Sequence, residues 1–228
     1  MNILGIIPAR GGSKGIPRKN LQKINGKSLL QYAIEAGQDS HFINRLFVST
    51  EDQEIKKESI RLNCDVLDRP DDLANDNTPT KDVILEILSV LGDSPNCIVL
   101  LQPTAPLRTA THIDEAIEIF MNHDCDSVVS VAEVPSHYHP DWQLIINDGK
   151  LLVSSKNENL SQMKYQRQEL TKTYFRNGAV YISKADTIKK YKNLYGTRCI
   201  PYVMPIDASV NIDTPADLVL ASNSSLGE

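Results

Sequence analysis

The chain has 228 residues, of which 41% are hydrophobic and 23% are charged, so its composition is that of a globular protein and not of a disordered chain. Its formal net charge of −5 at pH 7 argues against generic binding to nucleic acids, and no apolar run reaches the length of a membrane span. We therefore expect one folded domain with neither a nucleic-acid nor a membrane partner.

The first residues and the cysteines predict a cytoplasmic protein. Met1 leads into an apolar run with no signal-peptide pattern before it. The cysteines form no C-x-x-C pair, and three of them lie in or beside apolar runs, which is typical of reduced core thiols and not of disulfides or a zinc site. They are Cys64, Cys97, Cys125 and Cys199.

Short apolar runs alternate with helical patterns through the first half of the chain. In chain order we predict a strand at 3–7, a helix at 28–38, a strand at 45–49, a helix at 52–63, a strand at 64–67, a helix at 80–91, a strand at 97–101, a helix at 111–122 and a strand at 127–131. This alternation predicts an α/β fold of the Rossmann-like type, in which a doubly wound and mostly parallel sheet carries helices on both faces.

The second half of the chain has a different pattern. After Val134 the sequence becomes polar and β-rich, and Asp148-Gly149 between two apolar runs indicates a hairpin. Further strands are predicted at 178–182 and 200–203, and a last helix begins at Thr214. We therefore predict a single domain over residues 1–228 with a small β-rich excursion at about 135–172.

A glycine-rich basic segment follows the first predicted strand. It reads Pro8-Ala9-Arg10-Gly11-Gly12-Ser13-Lys14-Gly15 and is followed by Lys19-Asn20. Glycines let backbone N–H groups approach a polyanion, and the arginine and lysines supply charged donors to phosphate oxygens. Since ligands of such sheets bind at the carboxyl ends of the strands, we predict a phosphate-binding site at that edge.

The glycine spacing excludes two familiar nucleotide-binding loops. Gly26-Lys27-Ser28 has the end of a P-loop motif, but Leu21 stands in place of its opening glycine, so we predict a turn there. The glycines of the first loop are not spaced as in the dinucleotide-binding motif, and Pro17 interrupts the helix that this motif needs. A different kind of phosphate-binding loop remains.

Five motifs follow one another along nearly the whole chain. They are Pro8-Ala9-Arg10-x-Gly12-Ser13-Lys14 with Lys19-Asn20, Arg69-Pro70-x-x-Leu73 with Asp76-x-Thr78-Pro79-Thr80, Leu101-Gln102-Pro103-Thr104-Ala105-Pro106-Leu107-Arg108, Arg167-Gln168 with Asn177-Gly178-Ala179-Val180-Tyr181, and Asn211-Ile212-Asp213-Thr214. In kind and order they resemble the motifs of the N-acylneuraminate cytidylyltransferases, the family of CMP-sialic acid and CMP-nonulosonic acid synthetases. The resemblance implies a nucleotidyltransferase that joins CTP to a nonulosonic acid, for surface glycan biosynthesis. N-acetylneuraminate, legionaminate and pseudaminate all remain possible acceptors.

The resemblance also implies which residues hold the nucleotide and act on it. The implied nucleotide-binding residues are Ala9, Arg10, Gly11, Gly12, Ser13, Lys14, Lys19, Asn20, Arg69 and Thr80. The implied catalytic residues are Arg10, Lys19 and Asp213, with Lys19 stabilising the pyrophosphate that leaves. Two of these interpretations have alternatives, because Arg69 could pair with a neighbouring aspartate and a threonine near Pro79 could cap the helix that follows.

For the acceptor sugar, the resemblance implies Gln102, Arg167, Gln168 and Asn177. Arg167 is the predicted partner of the sugar carboxylate, because a guanidinium can bind a carboxylate with two parallel hydrogen bonds. Arg108 is expected to brace the loop that carries Gln102. In the resembling family the excursion contributes to a homodimer and reaches the active site of the partner, so a homodimer is implied, and whether Arg167 acts in its own subunit or in the partner is open.

The implied cofactor is Mg²⁺, held by Asp213 and Asn211. Family members commonly have two aspartates at these positions, whereas Asn211 offers only a neutral amide oxygen, so we favour a single Mg²⁺. No residue is assigned as the general base.

Two alternatives to this enzyme remain: a guanylyltransferase for an amino sugar, and a non-catalytic regulator that binds a nucleotide sugar. Asn211 alone favours the regulator. A synthetase for the acid Kdo fits less well, because its usual loop has arginine in place of Lys14 and lacks the Lys19-Asn20 pair.

Overall fold

The computed structural model describes residues 1–91, 95–155, 158–163 and 166–224. Its α-helices are α1 (Leu29–Gln38), α2 (Gln53–Arg61), α3 (Thr80–Val90), α4 (Ala110–Asn122), α5 (Ala185–Tyr191) and α6 (Pro215–Asn223). Its strands are β1 (Ile3–Pro8), β2 (Lys23–Ile24), β3 (Lys27–Ser28), β4 (Arg45–Thr50), β5 (Asp65–Asp68), β6 (Cys97–Leu100), β7 (Ser127–Glu133), β8 (Leu144–Asn147), β9 (Lys150–Val153), β10 (Glu158–Asn159), β11 (Tyr174–Lys184) and β12 (Cys199–Val203).

The chain divides into two compact units, one of Met1–Val131 with Asn177–Glu228 and the other of Ala132–Arg176. The predicted excursion at 135–172 falls within the second unit, and the assignment of one domain with an excursion stays a prediction.

The main sheet has seven strands in the order β12-β7-β11-β6-β1-β4-β5. The pairs β1–β4, β1–β6, β4–β5 and β7–β12 are parallel, whereas β11 is antiparallel to β6. The predicted α/β fold with a mostly parallel sheet is confirmed.

Helices cover both faces of this sheet because successive strand residues point to opposite faces. Ile3 and Ile7 of β1 belong to the hydrophobic cluster under α1 and α4, whereas Leu4 and Ile6 belong to the cluster under α3 and α5. Each helix buries an apolar stripe, as α3 does with its residues Val83, Ile84, Ile87 and Leu88. The sheet is thus doubly wound, as predicted, and both its faces are excluded from water.

The helices and strands predicted up to residue 131 are all present, with ends shifted by one or two residues. The turn predicted at Gly26-Lys27-Ser28 lies one residue earlier, because Asn25 and Gly26 have positive φ and join β2 to β3, whereas Lys27 and Ser28 form β3. The predicted hairpin at Asp148-Gly149 joins β8 to β9 in the second unit. The helix α5 was not predicted, because residues 185–191 give only two turns of apolar periodicity, Ala185 and Ile188 being its buried apolar residues.

The cysteines are free thiols, as predicted, but only three of them are buried. Burial raises the pKa of Cys64 and of Cys97 to about 12, so neither thiol is reactive at neutral pH. Cys199 is exposed at the start of β12, which corrects its assignment to the core. Within the described part of the chain, every helix is too short or too polar to cross a lipid bilayer.

Candidate active site

A cleft lies at the carboxyl edge of the main sheet, where β1, β4, β5 and β6 all end. These strands are parallel, so the segments that follow Pro8, Thr50, Asp68 and Leu100 meet at one edge. The cleft has a volume of about 280 Å³. It is lined by Pro8, Arg10, Gly12, Ser13, Lys19, Asn20, Arg69, Leu73, Asn75, Asp76, Thr78, Thr80, Val83, Gln102, Pro103 and Thr104.

The glycine-rich loop is held in place by the segment that follows β4. The backbone N–H of Gly11 donates to Glu51 Oε1 at 2.7 Å, and Arg18 donates to both carboxylate oxygens of Asp52 at 2.6 and 3.0 Å. A Cβ on Gly11 would lie 2.4 Å from Asp52 Oδ2, so this close approach needs glycine. Sequence reasoning missed Glu51 and Asp52, and the only available signal was their position directly after a buried strand.

Two predicted nucleotide-binding residues lie behind the cleft wall. Ala9 is fully buried and donates its N–H to the carbonyl oxygen of Ser49, and the N–H of Gly11 is engaged by Glu51 as described. The side chain of Asn20 donates to the carbonyl oxygen of Arg10 at 2.8 Å. Asn20 thus ties the end of the loop to its beginning, and the direct contacts predicted for these residues stay predictions.

Two cations of the loop share one carboxylate. Arg10 Nη2 lies 2.6 Å from Asp76 Oδ1, and Lys14 Nζ lies 3.2 Å from Asp76 Oδ2. The hydrogen bond from Lys14 and the charge of Arg10 hold the pKa of Asp76 below its usual value. Asp76 belongs to a motif on which the resemblance rests, but no role of its side chain was predicted from the sequence.

A third cation reaches the segment that carries the predicted metal ligands. Lys19 Nζ donates to the carbonyl oxygen of Ile212 at 2.9 Å and to Asp213 Oδ1 at 3.0 Å. The side-chain N–H of Asn211 donates to Asp213 Oδ2 at 2.6 Å. Both carboxylate oxygens of Asp213 are therefore oriented, one by a charge and the other by an amide. The amide oxygen of Asn211 is buried and has no hydrogen-bond partner within the described residues.

Arg69 also lines the cleft. Its guanidinium donates to Ser49 Oγ at 3.3 Å and to the Ser49 carbonyl oxygen at 2.8 Å. Burial lowers the pKa of Arg69, and the charge of Glu51 partly opposes this shift. The alternative was a salt bridge from Arg69 to Asp68, Asp71 or Asp72. Among the described residues Arg69 has no such ion pair, and Asp68 pairs with Lys56. Arg69 thus presents a guanidinium that is buried and fixed in place.

The threonines on either side of Pro79 line the cleft as well. The helix α3 begins at Thr80 with Pro79 as its N-cap, and no side chain caps it. The alternative in which a threonine hydroxyl only caps the helix is therefore wrong. Thr78 and Thr80 both lie on the cleft wall, where their hydroxyls can contact a ligand.

Gln102 lies in the cleft and is supported by a buried arginine. Arg108 Nη1 donates to the carbonyl oxygens of Gln102 and Ala179, both at 3.0 Å, which confirms that Arg108 braces this loop. Burial lowers the pKa of Arg108 to about 9. Gly178 lies alongside with φ +76°, and a Cβ there would be 2.9 Å from Gln102 Oε1 and 3.3 Å from Asn211 Oδ1. The amide oxygens of Gln102 and Asn211 therefore both lie close to Gly178, where a side chain would crowd them.

Asn177 connects the sheet to the segment that leads to Asp213. Its Oδ1 accepts from Ser130 Oγ at 2.6 Å, and its Nδ2 donates to Ser209 Oγ at 2.9 Å. The side chain is 1% exposed, and the backbone N–H of Ala179 also donates to its Oδ1. The predicted contact of Asn177 with a sugar stays a prediction. What the structure adds is that this side chain fixes the position of residues near the site.

We expect Asn177→Ala to lower the free energy of unfolding by about 2–4 kcal/mol, because the Ser130 hydroxyl and the Ala179 N–H lose their acceptor and Ser209 Oγ loses a donor, all in a buried place. Urea denaturation followed by circular dichroism measures this loss. Asn75→Ala is the matched control, since Asn75 is exposed and donates one hydrogen bond to the Asp72 carbonyl oxygen. A loss for Asn177→Ala no larger than that of the control would contradict the structural role.

Arg167 and Gln168 lie in the second unit, in the short 3-10 turn Arg167–Glu169, and both are exposed. The first unit contains the cleft, so the structure leaves their predicted contact with a sugar untested.

The fold and the cleft together are those of an α/β protein with a cleft at the carboxyl edge of its sheet, lined by the cationic side chains of Arg10, Lys19 and Arg69. Residues 4–213 match the family model described as cytidylyltransferase. The chain belongs to the cytidylyltransferase family.

Two relatives illustrate this membership, and one solved structure shares the fold. The chain is 33% identical to an N-acylneuraminate cytidylyltransferase of Streptococcus agalactiae serotype V, over 96% of this chain and 52% of that protein. It is 33% identical to a CMP-N,N'-diacetyllegionaminic acid synthase of Legionella pneumophila, over 96% of this chain and 94% of that protein. It also superposes on a CMP:2-keto-3-deoxy-manno-octonic acid synthetase complexed with CTP, with a TM-score of 0.71, 16% identity and 97% of both chains covered. That structural likeness bears on the fold alone. The chain spans about half the length of the first of these relatives.

Proposed function

We propose that this protein is a cytidylyltransferase that activates a nonulosonic acid with CTP and releases the CMP-sugar and pyrophosphate. The observation that carries the proposal is that Arg10 and Lys19 line one cleft at the sheet edge, and that Lys14 contacts Asp76, which lines the same cleft. A triphosphate needs such a concentration of cations, because several negative charges must be neutralised in a small volume. Membership of the cytidylyltransferase family makes CTP the expected triphosphate.

In this proposal the protein acts mainly by positioning and electrostatics. Attack of the anomeric hydroxyl on the α-phosphorus forms the new P–O bond and breaks the bond to pyrophosphate, whose charge grows as it leaves. Arg10, Lys14 and the hydroxyl of Ser13 hold the triphosphate, and Lys19 stabilises the leaving pyrophosphate. We assign Arg69, Asn20 and Thr80 to contacts with the nucleoside and Gln102 to contacts with the acceptor, and all four line the cleft.

The residues near Lys19 fit a single Mg²⁺. Asp213 offers a carboxylate with a side chain that is 66% exposed, and Asn211 offers a buried amide oxygen that lacks a hydrogen-bond partner among the described residues. Oxygen ligands of this kind suit Mg²⁺, which usually takes one or two protein ligands and completes its shell with phosphate oxygens and water. When bound, the ion would neutralise negative charge on the triphosphate. Mg²⁺ dependence is part of the proposal.

Pyrophosphate release tests the function directly. The purified protein is incubated with CTP, Mg²⁺ and, separately, N-acetylneuraminate, legionaminate, pseudaminate or Kdo, with GTP and an amino-sugar phosphate as a further arm. We expect release with CTP and one of the first three acids, and a CMP-sugar in the product by mass spectrometry. Release only with GTP would support the guanylyltransferase, and binding of CTP with no release in any arm would support the non-catalytic regulator.

The homodimer is a further part of the proposal, and the second unit supports it. In the β8–β9 hairpin, Ile146 is 79% exposed, and Leu144 and Leu151 are 43% and 48% exposed. Apolar side chains clustered on an exposed hairpin are typical of an interaction surface. A second copy of the chain is the occupant that the family resemblance implies. The cytoplasmic location stays a prediction.

We expect Ile146→Glu to shift the protein from dimer to monomer, because a carboxylate in an apolar interface loses its hydration without gaining a partner. Sedimentation velocity at several protein concentrations measures the shift, and Lys150→Glu in the same hairpin is the control for an added negative charge. A wild-type protein that is monomeric throughout, or a variant that remains a dimer, would contradict the assignment.

A further inference from the structure

Asp76 is the acidic residue in the cleft that engages the phosphate-binding cations. It lies in the segment between Leu73 and α3, and not in the glycine-rich loop. One carboxylate oxygen contacts the Arg10 guanidinium and the other contacts the Lys14 ammonium. The cations that would hold a triphosphate are therefore already neutralised in the free protein.

The geometry of this contact matches what a phosphate would do. Two oxygens of one anionic group bridge a guanidinium and an ammonium, which is also how two oxygens of one phosphate group can bind them. The pairs are exchangeable, because the Lys14 side chain is 79% exposed and those of Arg10 and Asp76 are about 30% exposed. A carboxylate with one negative charge can be displaced by a polyphosphate with several.

We propose that Asp76 is an internal competitor for the triphosphate site. Its carboxylate holds Arg10 and Lys14 in the free protein, gives them up to phosphate oxygens when the nucleotide binds, and takes them back as pyrophosphate leaves. The inference rests on the proposed function in one respect, that the cleft receives a triphosphate. The role of such a residue is to prevent the product pyrophosphate from remaining bound to a site built from cations.

Removal of this charge has a defined consequence for binding. In Asp76→Asn, both cations are released from their carboxylate partner, so inorganic pyrophosphate should bind about fivefold more tightly than to the wild type. Pyrophosphate should also become a stronger product inhibitor of the enzyme. A direct role of Asp76 in holding the ligand or a metal ion predicts the opposite sign, because the variant would then bind more weakly.

Isothermal titration of the full chain with inorganic pyrophosphate in metal-free buffer tests the proposal. Asp72→Asn is the matched control, since Asp72 is an exposed aspartate four residues earlier in the same segment and its loss changes the net charge equally. Asp76→Ala is the second variant, which shows whether the effect comes from the lost charge and not from the new amide. Thermal melting of each variant confirms that it is folded.

A gain of about fivefold in both Asp76 variants, against less than about twofold in the control, supports the proposal. Unchanged or weaker binding, an equal gain in Asp72→Asn, or no binding of pyrophosphate to any of the proteins overturns it. This titration uses neither CTP nor a sugar. Its result can therefore be interpreted even if the protein does not catalyse the proposed transfer reaction.

Discussion

Asp213→Ala is expected to lower the rate of CMP-sugar formation by about 1,000-fold, because it removes the charged oxygen proposed to hold Mg²⁺, and a bound cation supplies several kcal/mol of stabilisation to a phosphoryl transition state. Asp213 is well placed for this role: Lys19 and Asn211 orient its two carboxylate oxygens, and most of its side chain is exposed. In the variant only the amide oxygen of Asn211 remains, and a neutral oxygen binds Mg²⁺ more weakly than a carboxylate does.

Initial rates of pyrophosphate release over a range of Mg²⁺ concentrations measure this loss. Asp207→Ala, which removes an exposed aspartate six residues earlier, is the control and should retain most of the activity. A second readout separates metal binding from simple damage to the site. In metal-free buffer, Asp213→Ala should bind pyrophosphate at least as tightly as the wild type, because Lys19 is freed. Near-normal Mg²⁺-dependent turnover in the variant would refute the assignment of Asp213.

Lys19→Met is the second change with a large expected effect, a fall in kcat of about 100- to 1,000-fold. The ammonium is held by the Ile212 carbonyl oxygen and by Asp213, and its side chain is only 18% exposed. A preorganised and partly buried cation stabilises developing charge more strongly than a solvated one. Because the charge on pyrophosphate grows during the reaction, the loss should fall on kcat more than on KM.

Lys23→Met is the matched control, since it removes an exposed lysine four residues further along, at the start of β2. Steady-state kinetics with CTP as the varied substrate separates kcat from KM. A rise in KM alone would mean that Lys19 only binds the nucleotide. The double variant with Asp213→Ala should lose less than the sum of the two single losses in free energy, because the two side chains contact each other.

The fold could be predicted largely from the sequence because local patterns carry it. The strands β1 and β6 are short apolar runs, and the helices repeat their apolar residues at three- and four-residue spacing, as Ile84, Ile87 and Leu88 do in α3. Strand direction is less local. The reversal of β11 depends on where the chain returns to the sheet after the second unit, and no residue within β11 encodes that path.

The same distinction between local and non-local features holds for the candidate site. Residue type and order were enough to recognise the family motifs, the cationic loop and its location after a buried strand. The sequence also predicted that Arg108 braces the loop of Gln102, which rests on a motif of contiguous residues.

The pairing of charged side chains in the site, in contrast, depends on the tertiary fold. The pairs Lys19–Asp213 and Arg10–Asp76 join residues separated by 194 and 66 positions, and the bond from Gly11 to Glu51 joins residues 40 positions apart. Contacts of this kind depend on the crossover connections that bring the ends of parallel strands to one edge. The spacing of residues in the sequence does not predict such long-range contacts. The contact of Asp76 with Arg10 and Lys14 was therefore found only in the structure.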